Sequence, residues 1–156
     1  MKIKPQGAIL IVLAIFISGI AITSAFGIWA TTSSKIPAKL EDVQYSEEYD
    51  PADIRGSYTF SEISQLYNIP IDDLAAAFSI DKEKAPDFKC KDLESIYADS
   101  QYEIGTASVR MFAAYYRGLP YTPTEETYLP DTAVKIATEK GNMTSEQRDY
   151  LGSHTI

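Results

Sequence analysis

Cysteine and histidine are almost absent: Cys90 and His154 are single copies in a chain of 156 residues. One thiol excludes an intrachain disulfide. One thiol and one imidazole together fall short of the ligand set of an iron–sulfur cluster. The chain has no C-x-x-C-H for covalent haem, no glycine-rich phosphate loop and no zinc-ligand spacing. No cofactor and no metal site are expected. Cys90 reads as a half-buried small hydrophobe, with an intermolecular bridge as the other option. His154 reads as a solvated tail residue.

Charge is missing from one long stretch. Gly7 to Ala30 read GAILIVLAIFISGIAITSAFGIWA. As a helix rising about 1.5 Å per residue, this run is long enough to cross a hydrocarbon core of roughly 30 Å. Lys2 and Lys4 precede it, and Trp29 sits near its far end, where an indole favours the interface. The expectation is a single-pass cell-membrane protein: residues 1–6 cytoplasmic, residues 7–30 a transmembrane signal-anchor, the rest extracytoplasmic. A cleaved signal peptide ending at Thr23-Ser24-Ala25 competes, but the run exceeds a normal signal core. Within it Gly19, Thr23 and Gly27 recur every fourth residue. They form a small-residue stripe that suits either close contact with a second membrane helix or lipid. The absence of charge excludes an ion path or proton relay through the segment.

Beyond Ser34 lie about 120 residues, enough for one compact domain or two very small ones. All 22 acidic residues but only 12 of the 14 basic ones fall there, a formal charge of −10. Such a surface repels phosphate backbones and anionic headgroups and favours basic partners. Nucleic acid is not expected as a partner. Lipid around the anchor and another membrane protein are.

The remaining pattern is helical. Residues 31–52 carry Pro37 and an acidic cluster without lasting period and read as a tether. Thr59 and Glu62 have capping-box spacing, and Ile63, Leu66 and Tyr67 form one apolar face. Asn68-Ile69-Pro70 breaks this helix, and Ile71, Leu74, Ala75 and Phe78 mark a second. About thirty residues on, Lys91–Tyr97 can be laid over Ser61–Tyr67, followed by a helix from about Gly105 to Arg117 with Val109, Phe112 and Tyr116 on one side. Gly118-Leu119-Pro120 ends it. Two such pairs over 53–118 predict a four-helix core. Residues 119–156 read as a proline-rich link and a third hairpin, from Pro130-Asp131 to Lys140 and then from a second box, Thr144 with Gln147. The fold class expected is all-α, an N-terminal transmembrane helix plus a small domain of helix–turn–helix units.

A helix–turn–helix invites a DNA reading, but the second helix opens with Asp72 and Asp73 and offers no base-reading cation. Those aspartates suit a helix N-terminus instead. Glu125 and Glu126 are adjacent, so they share no helix face, and no nucleophile accompanies them. Nothing in the residues argues for catalysis. Eleven tyrosines are present, and Tyr115, Tyr116, Tyr121 and Tyr128 cluster around the link. They read as core-edge residues whose exposed remainder is the candidate partner contact.

The string Ile54-x-Gly56-x-x-Thr59-x-x-Glu62-Ile63-x-x-x-Tyr67-x-Ile69-Pro70-x-x-x-Leu74 resembles a short helical module of bacterial and archaeal membrane proteins. Those hosts carry ferredoxin-type 4Fe-4S or cytochrome-b-like segments. Gly118-Leu119-Pro120-Tyr121, Tyr128-Leu129-Pro130, Ala133-Val134 and Thr144-x-x-Gln147-x-x-Tyr150-Leu151 resemble the tail of such proteins. The resemblance runs from Asp53 onward, and this chain departs from it in having one membrane segment and no cluster cysteines. It implies a non-catalytic accessory or docking part beside a membrane electron-transfer protein. Tyr58–Ile63 through Asp73-Leu74 is also similar to the middle of a LysM module, without its flanking strand pattern. That similarity implies an anchored glycan-binding module as the alternative.

Overall fold

Thr59 and Glu62 close on each other as the spacing requires. The Thr59 N–H donates to Glu62 Oε2 at 2.8 Å, and the Glu62 N–H donates to Thr59 Oγ1 at 3.2 Å. This reciprocal cap starts α1, Phe60–Tyr67. Asn68 stops it in the left-handed conformation (φ 50°), and Pro70 leads into α2, Ile71–Ala77. The computed structural model describes residues 35–123 and 126–156. Within them four more helices follow: α3, Leu93–Ile96; α4, Thr106–Arg117; α5, Asp131–Lys140; and α6, Ser145–Leu151. Short 3₁₀ turns lie at Val43–Tyr45, Pro51–Asp53, Ala85–Asp87 and Cys90–Asp92. Three isolated bridges and no strand occur among the described residues, so the fold is all-α there.

Residues Ile36–Ile156 form one compact unit. Its centre is aromatic. Phe60, Phe78 and Phe112 are fully buried, with ring centroids 5.8 Å apart for Phe60–Phe78 and 5.5 Å for Phe78–Phe112. Burial of each such ring contributes about 1.5–3 kcal/mol. Ile54, Ile63, Leu74, Leu93, Val109 and Met111 fill the space around them.

The four-helix core is assembled differently from the expectation. α5 packs on both α2 and α4, and α1 on α2 and α4. The place foreseen for the helix over 91–97 is thus taken by α5, from the C-terminal segment. The starts of the two stretches laid over each other in the sequence lie side by side. Thr59 and Lys89 pair in an antiparallel bridge, with Phe60 N–H to Phe88 O and Cys90 N–H to Tyr58 O, both 2.9 Å.

Residues 36–52, read as the end of a tether, are docked. Lys39 bridges Tyr49, Ala38 N–H donates to Asp53 Oδ2, and Glu48 pairs with Arg117 of α4 at 2.8 Å. Leu40, Tyr45 and Tyr49 rest against the core, and Pro37 is buried. Long-range pairing holds this segment where local periodicity is lacking. Cys90 is fully rather than half buried, and burial pushes its thiol up to about 12. His154 is not a free tail residue. Its ring stacks on Tyr150 at 3.8 Å, and the backbone beside it pairs with Leu129.

The membrane span read over residues 7–30, with its stripe Gly19, Thr23 and Gly27, lies outside the described residues. Among the described residues, no helix is long and apolar enough to cross a membrane.

Candidate functional site

Gly118 ends α4 with φ +68°, a conformation that favours glycine. The Leu119 N–H reaches Ala114 O at 2.8 Å and the Gly118 N–H reaches Tyr115 O at 3.2 Å, the paired bonds of a Schellman stop. A Cβ at Gly118 would come within 2.4 Å of Asn142 O. The stop is therefore also the place where the α4 terminus meets the α5–α6 turn. The chain then leaves as Leu119-Pro120-Tyr121-Thr122-Pro123, running beside α6.

The second capping box fixes α6 against that link. Thr144 N–H donates to Gln147 Oε1 at 3.0 Å, and Gln147 N–H to Thr144 Oγ1 at 3.2 Å. Gln147, a buried polar residue, uses its remaining amide to donate from Nε2 to Leu119 O at 2.8 Å. One side chain thus caps a helix and ties the link to it.

Between the link and α6 lies an open groove of about 440 Å³. Its walls include Tyr45 from the docked N-terminal segment, Tyr115 from α4, Pro120, Tyr121 and Pro123 from the link, and Glu146 and Tyr150 from α6. Burial pushes the Tyr115 phenol up to about 12, and its neighbours Tyr150 and Tyr121 add to the shift. Tyr121 is raised by burial against the opposing charge of Arg110. Tyr150 is raised by burial, while a bond from the Thr127 backbone works the other way. These phenols stay neutral at ordinary pH. They offer flat apolar faces and hydroxyl dipoles rather than charge.

The four tyrosines singled out in the sequence part company. Tyr115 and Tyr121 meet in the groove. Tyr128 is buried and stacks on Tyr102 at 3.7 Å, with His154 at 5.2 Å. Tyr116 points into the helix packing, where its hydroxyl donates to Asp73 Oδ2 at 2.9 Å. Asp73, in the first turn of α2 as expected, also pairs through Oδ1 with Lys140 of α5. That trio pins α2, α4 and α5 together. Burial, then the bond to Asp73, pushes the Tyr116 phenol up to about 12.

Tyr45 sits in a stretch without period and carries no sequence signal, and Tyr150 stands in the sequence only as part of the tail string that carries the resemblance. The signal that foreshadowed the groove was Gln147, a capping residue within reach of a proline-rich link. Glu126 is exposed, and Glu125 lies outside the described residues. Among the described residues, no group of three His, Cys, Asp or Glu side chains is placed to hold a metal ion. The chain matches no protein-family model, no curated protein and no solved structure.

Proposed function

We propose that this chain is a membrane-anchored, non-catalytic docking protein whose acidic folded unit binds another membrane protein, an electron-transfer protein in particular. The observation that carries the reading is the groove. Two of the tyrosines singled out for partner contact converge there with two more, on a unit of strong negative charge. Tyrosine-rich concave surfaces supply large contact area at low conformational cost. The uncharged run Gly7–Ala30 supports the anchor, with Gly19, Thr23 and Gly27 as the contact to a partner helix. The redox nature of the partner rests on the resemblance described above.

The test is purification of the full-length protein from its native membrane in mild detergent, with an absorption spectrum and identification of what accompanies it. A stoichiometric haem or iron–sulfur protein is expected, and leucine at both Gly19 and Gly27 should release it. A colourless protein that purifies alone overturns the reading.

The glycan-binding alternative keeps one observation in its favour. The LysM-like helix pair α1–α2 is flanked by the antiparallel bridge Thr59–Lys89. It predicts that the detergent-solubilised full chain sediments with insoluble peptidoglycan. Failure to sediment removes it.

A further inference from the structure

We infer that the groove between the 119–123 link and α6 takes an extended, proline-containing segment of a partner protein that carries at least one basic residue. This inference rests on the docking reading and names the chemistry of its partner.

Of the groove's amide and aliphatic hydroxyl side chains, two are already engaged and Thr122 stands exposed. Gln147 uses its amide on Thr144 and Leu119, and Thr144 Oγ1 caps α6. What faces the opening is the half-buried rings of Tyr45, Tyr121 and Tyr150, two prolines and the exposed carboxylate of Glu146, with Tyr115 buried in the wall. An extended polyproline segment has no internal hydrogen bonds. It presents ring faces that stack on aromatics and carbonyls that accept from phenols, and it loses little entropy on docking. The half-buried Tyr121 phenol is held neutral by burial, so it can serve as such a donor. Charge supplies the second half of the recognition. Glu146 stands at the groove and residues 35–156 carry −10, so a lysine or arginine beside the prolines is drawn in. The LysM-like stretch 58–74 contributes no residue to this groove, so a glycan held by that stretch would lie elsewhere.

The experiment uses the full-length protein in detergent. The probe is a fluorescein-labelled peptide of about ten residues, largely proline with two arginines. Controls replace the prolines with glycine or the arginines with glutamate. Saturable anisotropy is expected for the first peptide, about tenfold weaker binding with Tyr121→Ala, and a few-fold loss with Glu146→Gln together with a flatter salt dependence. Ile96→Ser, remote in sequence and not part of the groove, should leave binding unchanged. The inference is overturned by no saturable binding, or by binding that survives Tyr121→Ala and Tyr150→Ala alike. Displacement of the peptide by soluble peptidoglycan fragments also overturns it, in favour of a sugar site. Failure of the peptide while a redox partner still co-purifies sinks this inference alone. A solitary, colourless protein that binds the peptide sinks the redox partner and leaves the groove's ligand class standing.

Discussion

The two stretches laid over each other in the sequence, 61–67 and 91–97, begin alike and end differently. Ile63 and Leu93 match in that overlay and are both fully buried. At the bridge, Thr59 (φ −87°, ψ 159°) and Lys89 (φ −89°, ψ 143°) share the extended backbone of a helix N-cap. Past that point the first half runs through a two-turn helix with Tyr67 buried and its hydroxyl bonded to Asp50 O at 3.0 Å. The second half makes a 3₁₀ turn and a four-residue helix, with Tyr97 half-buried on Phe78 O and Ile96 half out in water. The difference lies in the cap. Thr59 accepts the Glu62 N–H and Glu62 reaches back, whereas Lys89 has no acceptor to offer and makes no side-chain cap bond. Equal burial at one apolar position therefore does not carry a helix forward. The orphan amides of the first turn must be satisfied as well.

The largest effect that tests this comparison is deletion of the shared apolar residue. Ile63→Ala and Leu93→Ala should each cost about 2–5 kcal/mol in urea unfolding, with similar values in the two halves. A loss well under 1 kcal/mol for Leu93→Ala would break the equivalence. Next comes an alkaline contrast at the paired positions Phe60 and Cys90. The folded thiol titrates near 12 instead of 9, because burial disfavours the thiolate. The unfolded chain loses that proton first as pH rises. The contribution is therefore complete below pH 9 and is lost as pH rises through the folded value near 12, with a slope of about 1.4 kcal/mol per pH unit. Cys90→Ala should remove that slope between pH 9 and 10, below the range where the raised tyrosine phenols act in the same sense, as pH-dependent urea midpoints would show. Native Cys90 should also react with thiol reagents only at the rate of opening.

The cap itself ranks third. Thr59→Ala should cost about 1 kcal/mol, while Lys89→Ala stays within about 0.5 kcal/mol of wild type. Equal costs would mean that the box is not what separates the halves. The converse variant, Lys89→Thr with Asp92→Glu, places a box on a backbone already shaped for it. It should add about 0.5–1 kcal/mol and a small gain in helical circular dichroism. The smallest effect is Ile96→Ser, expected within about 0.5 kcal/mol, against a clear loss for Leu66→Ser, whose side chain packs on the core.

Legibility followed the range of each interaction. Both capping boxes, the Asn68-Ile69-Pro70 break and the Gly118 stop could be read from neighbours within five residues, and each is made as read. Of the groove, Tyr115 and Tyr121 were visible as members of a cluster. Tyr116 and Tyr128 belonged to the same cluster in sequence but face other partners in space. Tyr45 joins the groove across some seventy residues, and no local pattern encodes that distance.

By itself, then, the sequence settled the caps and stops of α1 and α4 and the cap of α6, that the described unit is all-α, and that it is acidic. Those properties depend on caps, breakers and formal charge, which act within one or two turns or not through structure at all. Tertiary structure alone decided that α5 completes the core in place of a helix over 91–97, and that residues 36–52 dock. It also joined Asp73 to Tyr116 and Lys140, and closed Tyr45, Tyr115, Tyr121 and Tyr150 around one groove. Those outcomes depend on which apolar faces fit together in three dimensions. Buried area and long-range hydrogen bonds select among packings that local signals leave equal.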